Sequence, residues 1–379
     1  MGKRGNVLLP DLLNKIFLYK YHQIHGAKFG PFAGYSMPIN YSTGIIKEHL
    51  HTRKSVGLFD VSHMGQILIQ NTEFNCTKLE QIIPLSLSNL KINNSSYSLI
   101  LNQVGGIIDD IIISKLKIEN LTYFFIVYNA SRKKIDEEIF VNTLKNYSIL
   151  NNNSLLALQG PLSSKILSNL FDGIENMYFM QIRNFIYENQ FIFISRTGYT
   201  GEDGFELSVP NLVVDNLIND LASNNKVILC GLGCRDSLRL EAGLSLYGNE
   251  LYEEITPVEA NLSWTLSKER MKSGGFNGYE IISIQKEKGV SKRRVGVLLK
   301  SKSILRSKTR LFNENNINIG AITSGGFSPT MHTSIGIAYI NKFFLNNSGK
   351  ILCSIRNKLE EVELTILPFV KHNYRKGSK

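Results

Sequence analysis

The stretch that decides the fold of this chain is 101-LNQVGGIIDD-110, in which a pair of glycines separates two segments rich in β-branched residues. The segments Ser96–Leu101 and Ile107–Leu116 have strand-like composition, and paired glycines tolerate the positive φ of a tight turn. We therefore predict a hairpin. Successive strand residues point to opposite faces, so one of Asp109 and Asp110 is expected to enter a pocket while the other stays in solvent. Taken alone, the segment is explained as simply by a hairpin with surface acids.

Alternating strand and helix patterns continue on both sides of this hairpin. The segment Ile45–Lys54 is predicted to be a helix, and Ser55–Gln70 is predicted to form strands. After the hairpin, Leu121–Asn129 is predicted to be a strand and Ala130–Lys145 a helix. Mixed segments of this kind indicate an α+β organisation.

The composition changes near residue 290, beyond which the chain is almost entirely strand-like. The predicted strands there are Val295–Lys300, Ile317–Thr323, Ile335–Ile340, Lys350–Ile355 and Glu361–Ile366. We therefore expect residues 290–379 to form an all-β barrel or sandwich, separate from residues 21–289. Residues 1–20 are basic with an apolar stripe, which is compatible with either a targeting leader or a first helix.

The charge and cysteine content exclude several classes of protein. The 379 residues carry a formal net charge of +11, but no nucleic-acid-binding signature accompanies it. The four cysteines lack the spacing of a zinc site, and no apolar run is long enough to cross a bilayer. The basic cluster from Lys292 to Arg310 is either a solvated surface or a docking patch for an acidic partner.

Two further segments have the residue types of a binding site. The segment Arg196–Glu206 contains three glycines that expose Tyr199 and Glu202, and a carboxylate there could accept the paired N–H groups of an amino-pyrimidine edge. The segment Cys230–Gly243 is predicted to become helical at Cys234, which places Arg235 where it can contact a carboxylate or carbonyl group. Exposed turn acids and an intrahelical ion pair are the simpler explanations of these segments.

Two more residues favour structural roles when they are considered singly. His63, close to an aspartate and a serine, is interpreted as a hydrogen-bonded structural histidine, because no hydrolase motif accompanies it. Trp264 is the single tryptophan, and a lone aromatic residue is typical of core packing.

Taken together, these segments resemble the aminomethyltransferase, or T-protein, family of the glycine cleavage system. The matching motifs occur in the family order and cover nearly the whole chain after about Tyr19. They are 31-PFAGYSMP-38, 58-LFDVSHM-64, 105-GGIIDD-110, 197-TGYTGE-202, 235-RDSLRLEAG-243, 323-TSGGFSPT-330 and 368-PFV-370.

The resemblance implies an α+β fold with three domains in a cloverleaf arrangement. Two α/β-type domains are interleaved within residues 21–289, and a C-terminal β-barrel or jelly-roll-like domain follows. Tetrahydrofolate is expected in the central opening as co-substrate, without a metal. The implied reaction transfers the methylene of the aminomethyl-lipoyl H-protein to tetrahydrofolate, which gives ammonia and 5,10-methylenetetrahydrofolate. A mitochondrial matrix protein, monomeric and bound to neither nucleic acid nor membrane, is expected.

The resemblance also implies roles for individual residues. Asp109 matches the essential carboxylate beside the folate nitrogens, Glu202 the pterin-binding glutamate and Arg235 the ligand-binding arginine. Tyr374 matches a C-terminal tyrosine that closes over the ligand. The remaining positions expected to line the pocket are Met64, Tyr97, Asn129, Tyr199, Tyr247 and Trp264.

Three alternatives remain open at this stage. A folate-binding iron–sulfur assembly factor shares the implied fold, but its characteristic cysteine is missing from 197-TGYTGE-202. The folate domain of dimethylglycine and sarcosine dehydrogenases is a second alternative, although no dinucleotide fingerprint accompanies it. A non-catalytic folate-binding protein is the third.

Overall fold

A computed structural model describes residues 13–345 and 349–377 of the chain. In this part of the chain, three β-sheets and one closed barrel are connected by α-helices. The helices are α1 (Tyr19–Ile24), α2 (Ile45–Lys54), α3 (Glu73–Ile82), α4 (Lys133–Thr143), α5 (Ser163–Leu167), α6 (Val214–Ala222), α7 (Leu232–Glu241), α8 (Lys268–Ser273) and α9 (Tyr279–Lys288).

A six-stranded sheet forms the first layer, with the strand order β11-β12-β13-β10-β4-β14. Its strands are β4 (Val56–Asp60), β10 (Asn153–Gln159), β11 (Ile182–Tyr187), β12 (Gln190–Ser195), β13 (Gly204–Pro210) and β14 (Val227–Leu229). Helix α6 packs on the apolar core of this sheet through Val214, Leu217, Ile218 and Leu221, which are fully buried. This spacing puts the four side chains on one helix face.

A five-stranded sheet is inserted between β4 and β10, with the order β6-β7-β8-β5-β9. Its strands are β5 (Gly65–Gln70), β6 (Asn94–Leu101), β7 (Ile107–Ile118), β8 (Leu121–Tyr128) and β9 (Tyr147–Ile149). A small third sheet precedes both, with β1 (Asn14–Lys15) and β2 (Lys28–Phe32) on either side of β3 (Tyr35–Asn40). The two larger sheets are therefore interleaved in sequence, as predicted.

The C-terminal strands close into a six-stranded barrel of order β15-β18-β17-β16-β19-β20. They are β15 (Lys292–Leu299), β16 (Arg310–Asn313), β17 (Asn318–Ser328), β18 (Thr333–Asn341), β19 (Ile351–Ile355) and β20 (Lys358–Thr365). After β20 the chain returns to the six-stranded sheet, where the amide of Asn373 donates to the carbonyl oxygen of Gly201 at 2.8 Å. The predicted α+β fold with a C-terminal barrel is confirmed.

Several local predictions need correction. Helix α7 begins at Leu232 instead of Cys234, so Glu241 ends the helix. The sequence did not indicate α3, α8 or α9, whose apolar patterns are weak. Most of the predicted leader or first helix lies outside the described residues, while Asn14–Lys15 pairs with β3 and α1 begins only at Tyr19. No helix of the described residues is long and apolar enough to cross a membrane.

Candidate functional site

The predicted glycine turn between β6 and β7 positions the acidic residues. Gly105 has a φ of 80°, a conformation that favours glycine. A Cβ atom on Gly106 would lie 1.7 Å from the carbonyl oxygen of Glu253, so a side chain at this position would clash with the backbone. The register of β7 against β6 shifts opposite Ile100 and Leu101, and such a bulge changes the direction of neighbouring side chains.

Asn129, which directly follows β8, holds both aspartates of β7. Its backbone amide donates to Asp109 Oδ2 at 2.9 Å. Its side-chain Nδ2 donates to Asp109 Oδ1 at 2.9 Å and to Asp110 Oδ1 at 2.8 Å. We call Asp109, Asp110 and Asn129 the carboxylate clamp. Asp109 is 0% exposed and Asp110 is half-buried, so one acid is enclosed as expected, whereas the other reaches solvent only in part.

Tyr97 and Trp264 extend the clamp towards solvent. The Tyr97 hydroxyl donates to Asp110 Oδ2 at 3.2 Å, and its ring stacks on Trp264 with centroids 5.5 Å apart. Trp264 is 68% exposed, so the prediction of core packing for this residue is wrong. An exposed aromatic ring stacked on a tyrosine that donates to a carboxylate is more typical of a binding site.

A second group of site residues surrounds Arg235 of α7. Its guanidinium carbon lies 5.0 Å from the centroid of the Tyr199 ring, and its Nη2 lies 3.7 Å from Glu206 Oε1. The other oxygen of Glu206 accepts a hydrogen bond from Thr197 Oγ1 at 2.7 Å. Arg235 Nη1 is buried without a hydrogen-bond partner. We call Tyr199, Glu206 and Arg235 the arginine pocket.

The arginine pocket offers a carboxylate, an unused donor and an aromatic face within a few ångströms. This combination suits a planar heterocycle that has adjacent N–H donors and an acceptor atom. Burial raises the pKa of Tyr199, and among the charged groups that act on this hydroxyl are Asp110 and Arg235. Tyr199 is therefore the member of the arginine pocket that also feels the charge of the carboxylate clamp.

The electrostatics of the clamp differ from those of an ordinary surface acid. Burial and then the charge of Asp109 raise the pKa of Asp110 to about 7. Burial also raises the pKa of Asp109, against the hydrogen bonds that it receives. Asn129 and the hydroxyl of Tyr97 donate to this pair, and both are neutral, so no cation among these donors offsets the negative charge of the clamp.

Glu202 lies apart from the arginine pocket. Its Oε1 accepts from Arg53 Nη1 at 2.9 Å, and its Oε2 accepts from Asn373 Nδ2 at 3.0 Å. The residue is 3% exposed, and both its oxygens are occupied. Tyr374 stacks on Phe179, with centroids 4.0 Å apart and an interplanar angle of 1°. Glu202 and its arginine therefore anchor the C-terminal segment that carries Tyr374.

Met64 and Tyr247 flank the two groups. Met64 packs on the apolar cluster that includes Phe59 and Leu238. The Tyr247 hydroxyl donates to the carbonyl oxygen of Ile107 at 3.2 Å, and its ring lies 4.8 Å from the guanidinium carbon of Arg132. Both contacts are structural in character, and Tyr247 fixes the start of β7.

His63 is buried, but its Nδ1 has no hydrogen-bond partner. Asp60 instead pairs with His22, whose Nε2 lies 2.8 Å from Asp60 Oδ2. The hydrogen bond expected for a structural histidine is therefore not made by His63 Nδ1, and the nearby Asp60 is paired with a different histidine. Burial, followed by the charge of Arg235, lowers the pKa of His63 to about 3, so His63 is a neutral neighbour of the arginine pocket.

Sequence reasoning missed Glu206 and Arg53. Glu206 is a single acid inside the apolar strand β13, and an isolated charge in such a strand was an available signal. Arg53 was not recognisable because its partners Glu202 and Glu241 are 149 and 188 residues away.

One cluster of the described residues has donor atoms close enough together to hold a metal, namely Glu48, Cys230 and Cys234. All three residues are buried. The Glu48 oxygens already accept from the amides of Tyr41 at 2.7 Å and Gly231 at 3.0 Å. The cluster is therefore satisfied as a structural junction between α2 and α7.

Two family models match the chain. The GCVT N-terminal domain matches residues 18–270, and the glycine cleavage T-protein C-terminal barrel domain matches residues 292–371. The chain belongs to the glycine cleavage T-protein family. The predicted function, aminomethyl transfer in the glycine cleavage system, is thereby confirmed, and nothing favours the iron–sulfur assembly factor or the non-catalytic protein. The family uses tetrahydrofolate as substrate and works with the H-protein.

Curated T-protein relatives agree over almost the full length of the chain. The mitochondrial aminomethyltransferase of Dictyostelium discoideum is 40% identical, with 96% of this chain and 94% of the relative covered. The mitochondrial aminomethyltransferase of Pisum sativum is 39% identical, and the match covers 97% of this chain and 91% of the relative. The mitochondrial localisation predicted for this chain is confirmed by these relatives.

A solved T-protein structure has the same fold. The crystal structure of glycine cleavage system aminomethyltransferase T from Bartonella henselae matches with a TM-score of 0.89 and 36% identity. The match covers 96% of this chain and 100% of that chain. The similarity therefore extends over both interleaved sheets and the barrel.

Proposed function

We propose that tetrahydrofolate binds between the carboxylate clamp and the arginine pocket, and that the transferred methylene comes from the aminomethyl-lipoyl arm of the H-protein. The products are ammonia, 5,10-methylenetetrahydrofolate and the dihydrolipoyl arm. The observation that carries this proposal is the buried, unpartnered Nη1 of Arg235 beside Glu206. A pterin ring presents the complementary edge, with N–H donors for the carboxylate and an acceptor for the guanidinium.

The clamp supplies the chemical part of the site. A fixed negative charge stabilises the positive charge that develops as the new C–N bond forms, and this effect is stronger in a dry cleft than in water. The catalytic role was predicted for Asp109. Because Asp109 is 0% exposed and Asp110 is half-buried, we propose that Asp110 contacts the folate and that Asp109 supports it through Asn129.

Two isosteric variants separate these roles. Trp264, the single tryptophan, lies beside Tyr97 and reports tetrahydrofolate binding through its fluorescence. Transfer is measured as ammonia release from the aminomethyl-loaded H-protein. Asp110→Asn is expected to keep folate binding and to lower turnover by about 10²–10³-fold. Asp109→Asn is expected to have a smaller effect on turnover.

If Asp109→Asn lowered turnover more than Asp110→Asn did, Asp109 would be the residue that contacts the folate. Near-normal turnover in both variants would overturn the proposed mechanism altogether. A folded Asp110→Asn variant that loses folate binding together with turnover would also contradict it, because the clamp is proposed to act on the transfer.

A matched pair of glutamates tests the arginine pocket. Glu206→Gln is expected to weaken tetrahydrofolate binding by about 10–100-fold, because a charge-assisted contact contributes about 1.5–3 kcal/mol. Glu202→Gln serves as the control, since its oxygens are engaged by Arg53 and Asn373. Weaker binding in the Glu202 variant alone would favour the original prediction that Glu202 holds the pterin.

The predicted basic docking patch does not form one continuous surface. Arg294 is buried and donates to Ser245 Oγ, and Lys300 pairs with Glu361 at 2.7 Å. Lys302, Arg306, Lys308 and Arg310 remain exposed. Of these four residues, Lys302 and Arg306 line the same groove of the barrel, and we restrict the docking proposal to these two residues and to an acidic lipoylated H-protein.

The docking proposal is tested by the salt dependence of binding. Charge reversal at Lys302 and Arg306 is expected to reduce H-protein binding most at low ionic strength. Binding that does not change with salt would refute the docking role. We further propose a metal-free monomer, to be tested by assay after chelation and by light scattering.

A further inference from the structure

A third carboxyl group is buried behind the carboxylate clamp. Asp136 lies in the first turn of α4 and is 0% exposed, and no sequence motif includes it. Its carboxyl group lies next to that of Asp109, the neighbouring group with the largest effect on its protonation. Three acidic side chains are therefore collected in one buried place, and we call Asp109, Asp110 and Asp136 the acid cluster.

The hydrogen-bond partners of Asp136 are informative. Neither of its carboxyl oxygens is met by an N–H or O–H donor from another residue. A contact between two carboxyl groups is a hydrogen bond only when one of the oxygens carries a proton, since an ionised carboxylate only accepts. Two buried carboxyl groups in contact therefore share a proton instead of both ionising.

The surroundings of Asp136 do not supply a compensating charge. The titratable groups that face it are Asp109 and Asp110 of β7, Tyr128 of β8, Tyr247 and Arg132. Arg132 is the single cation among these groups, and its Nη2 is already 2.5 Å from Glu253 Oε1. An ionised Asp136 would therefore be a buried charge beside another negative charge.

We propose that Asp136 is a neutral carboxylic acid at physiological pH and that it donates its proton in a hydrogen bond to Asp109. In this role Asp136 is a positioning residue for the carboxylate clamp. It leaves Asp109 as an oriented acceptor for Asn129 and keeps the charge of the acid cluster on the two residues nearest the cleft. The effect on turnover rests on the proposed function of the clamp, whereas the protonation of Asp136 does not.

The pKa of Asp136 agrees with this geometry. Burial and then the charge of Asp109 raise it to about 10, against about 3.9 in an unfolded chain. The folded protein therefore keeps a proton that the unfolded chain releases. The free energy of unfolding must then decrease as the pH rises between these two values, with the slope expected for the release of one proton.

The test uses Asp136→Asn, which keeps the shape and a permanent donor but removes the titration. The matched control is Glu138→Gln on the same helix, where the side chain is exposed. The unfolding midpoint of Asp136→Asn, relative to wild type, is expected to rise steadily from pH 6 to pH 9. The control should show no such trend. If the unfolding midpoints of the wild type, Asp136→Asn and Glu138→Gln changed with pH in the same way, the proposed protonation would be overturned.

Infrared difference spectroscopy provides a readout on folded protein without any assay of activity. A protonated carboxyl group has a carbonyl stretch that an ionised carboxylate lacks, and this band should be present in the wild type at pH 9, where Asp110 with its pKa of about 7 is ionised. It should be absent from Asp136→Asn and retained in Glu138→Gln. A wild-type spectrum without the band would refute the proposal even if the asparagine variant did not fold.

The positioning role is tested separately by kinetics. Asp136→Asn is expected to keep turnover within about threefold at neutral pH, because the amide also donates to Asp109. Asp136→Leu, which cannot donate, is expected to lower kcat by about 10-fold, with less effect on the KM for tetrahydrofolate. Equal kcat values for the leucine variant and the wild type would overturn the positioning role, while the infrared result would still decide the protonation.

Discussion

Arg53 connects two buried glutamates, and its removal should be among the most destabilising single changes in the protein. Its Nη1 donates to Glu202 Oε1 at 2.9 Å, and its Nη2 donates to Glu241 Oε2 at 2.8 Å. The arginine side chain is 9% exposed, and the two glutamate side chains are 3% and 0% exposed. Breaking a buried ion pair from one side costs about 3–5 kcal/mol, because the remaining charge is left without compensation.

Arg53→Met removes the cation while keeping much of the apolar stem. For a chain of this length the entropy of unfolding is about 0.8 kcal/mol/K, so the loss corresponds to a decrease in Tm of about 4–6 °C. Arg53→Lys should recover part of the loss, since one ammonium group cannot bridge both carboxylates in the same planar geometry. Thermal unfolding followed by circular dichroism measures both variants.

The control is Arg306→Met, because Arg306 is exposed on the barrel, and such a substitution changes stability by about 0.5 kcal/mol or less. If the Tm of Arg53→Met stayed within about 1 °C of the wild type, the two ion pairs could not be stabilising the fold as argued. A lower Tm for Arg53→Lys than for Arg53→Met would also contradict the argument, because a positive charge at this position would then not stabilise the two glutamates.

Three further predictions follow from the geometry. Gly106→Ala should give a folded protein with a displaced β6–β7 turn and impaired transfer, measured by circular dichroism and ammonia release, because a Cβ would lie 1.7 Å from Glu253 O. Asn129→Ala should shift the acid limb of the pH–rate profile to higher pH, because the donors that favour ionised clamp carboxylates are lost. Although burial opposes ionisation, the hydrogen bond from His49 and further donors lower the pKa of Glu241 to about 2. The stability from Glu241 should therefore be present above about pH 4.3 and be lost as the pH falls towards 2, and Glu241→Gln should remove this dependence in acid-unfolding curves.

The elements with regular local patterns could be predicted from the sequence. Helix α2 has the predicted bounds Ile45–Lys54, and the hairpin around the glycine pair extends over β6 and β7 as expected. Five of the barrel strands were predicted because their apolar residues alternate or form short runs between turn residues. The strand β16 was missed because its four residues are too few to show a period.

The site was less predictable, because its contacts join residues that are distant in sequence. Glu202 and Glu206 are both acids near the same glycine-rich turn, and the sequence does not indicate which of them faces Arg235. The fold decides, because Arg53 and Asn373 reach Glu202 from other parts of the chain. The basic cluster from Lys292 to Arg310 is divided for a similar reason. Strand β15 directs Arg294 inward, while Lys302 lies beyond the strand and remains exposed.

The two groups of buried acids in this molecule are compensated in opposite ways. Glu241 is met by Arg53, by His49 at 3.0 Å and by the hydroxyl of Thr330 at 2.7 Å. The acid cluster is met by a neutral amide and a neutral hydroxyl, and its one neighbouring arginine is engaged by Glu253. Burying acids without a cation opposes folding, so stability alone does not account for the acid cluster. Its uncompensated charge would stabilise a positive charge that develops nearby, and this contrast supports the proposal that the clamp takes part in the transfer.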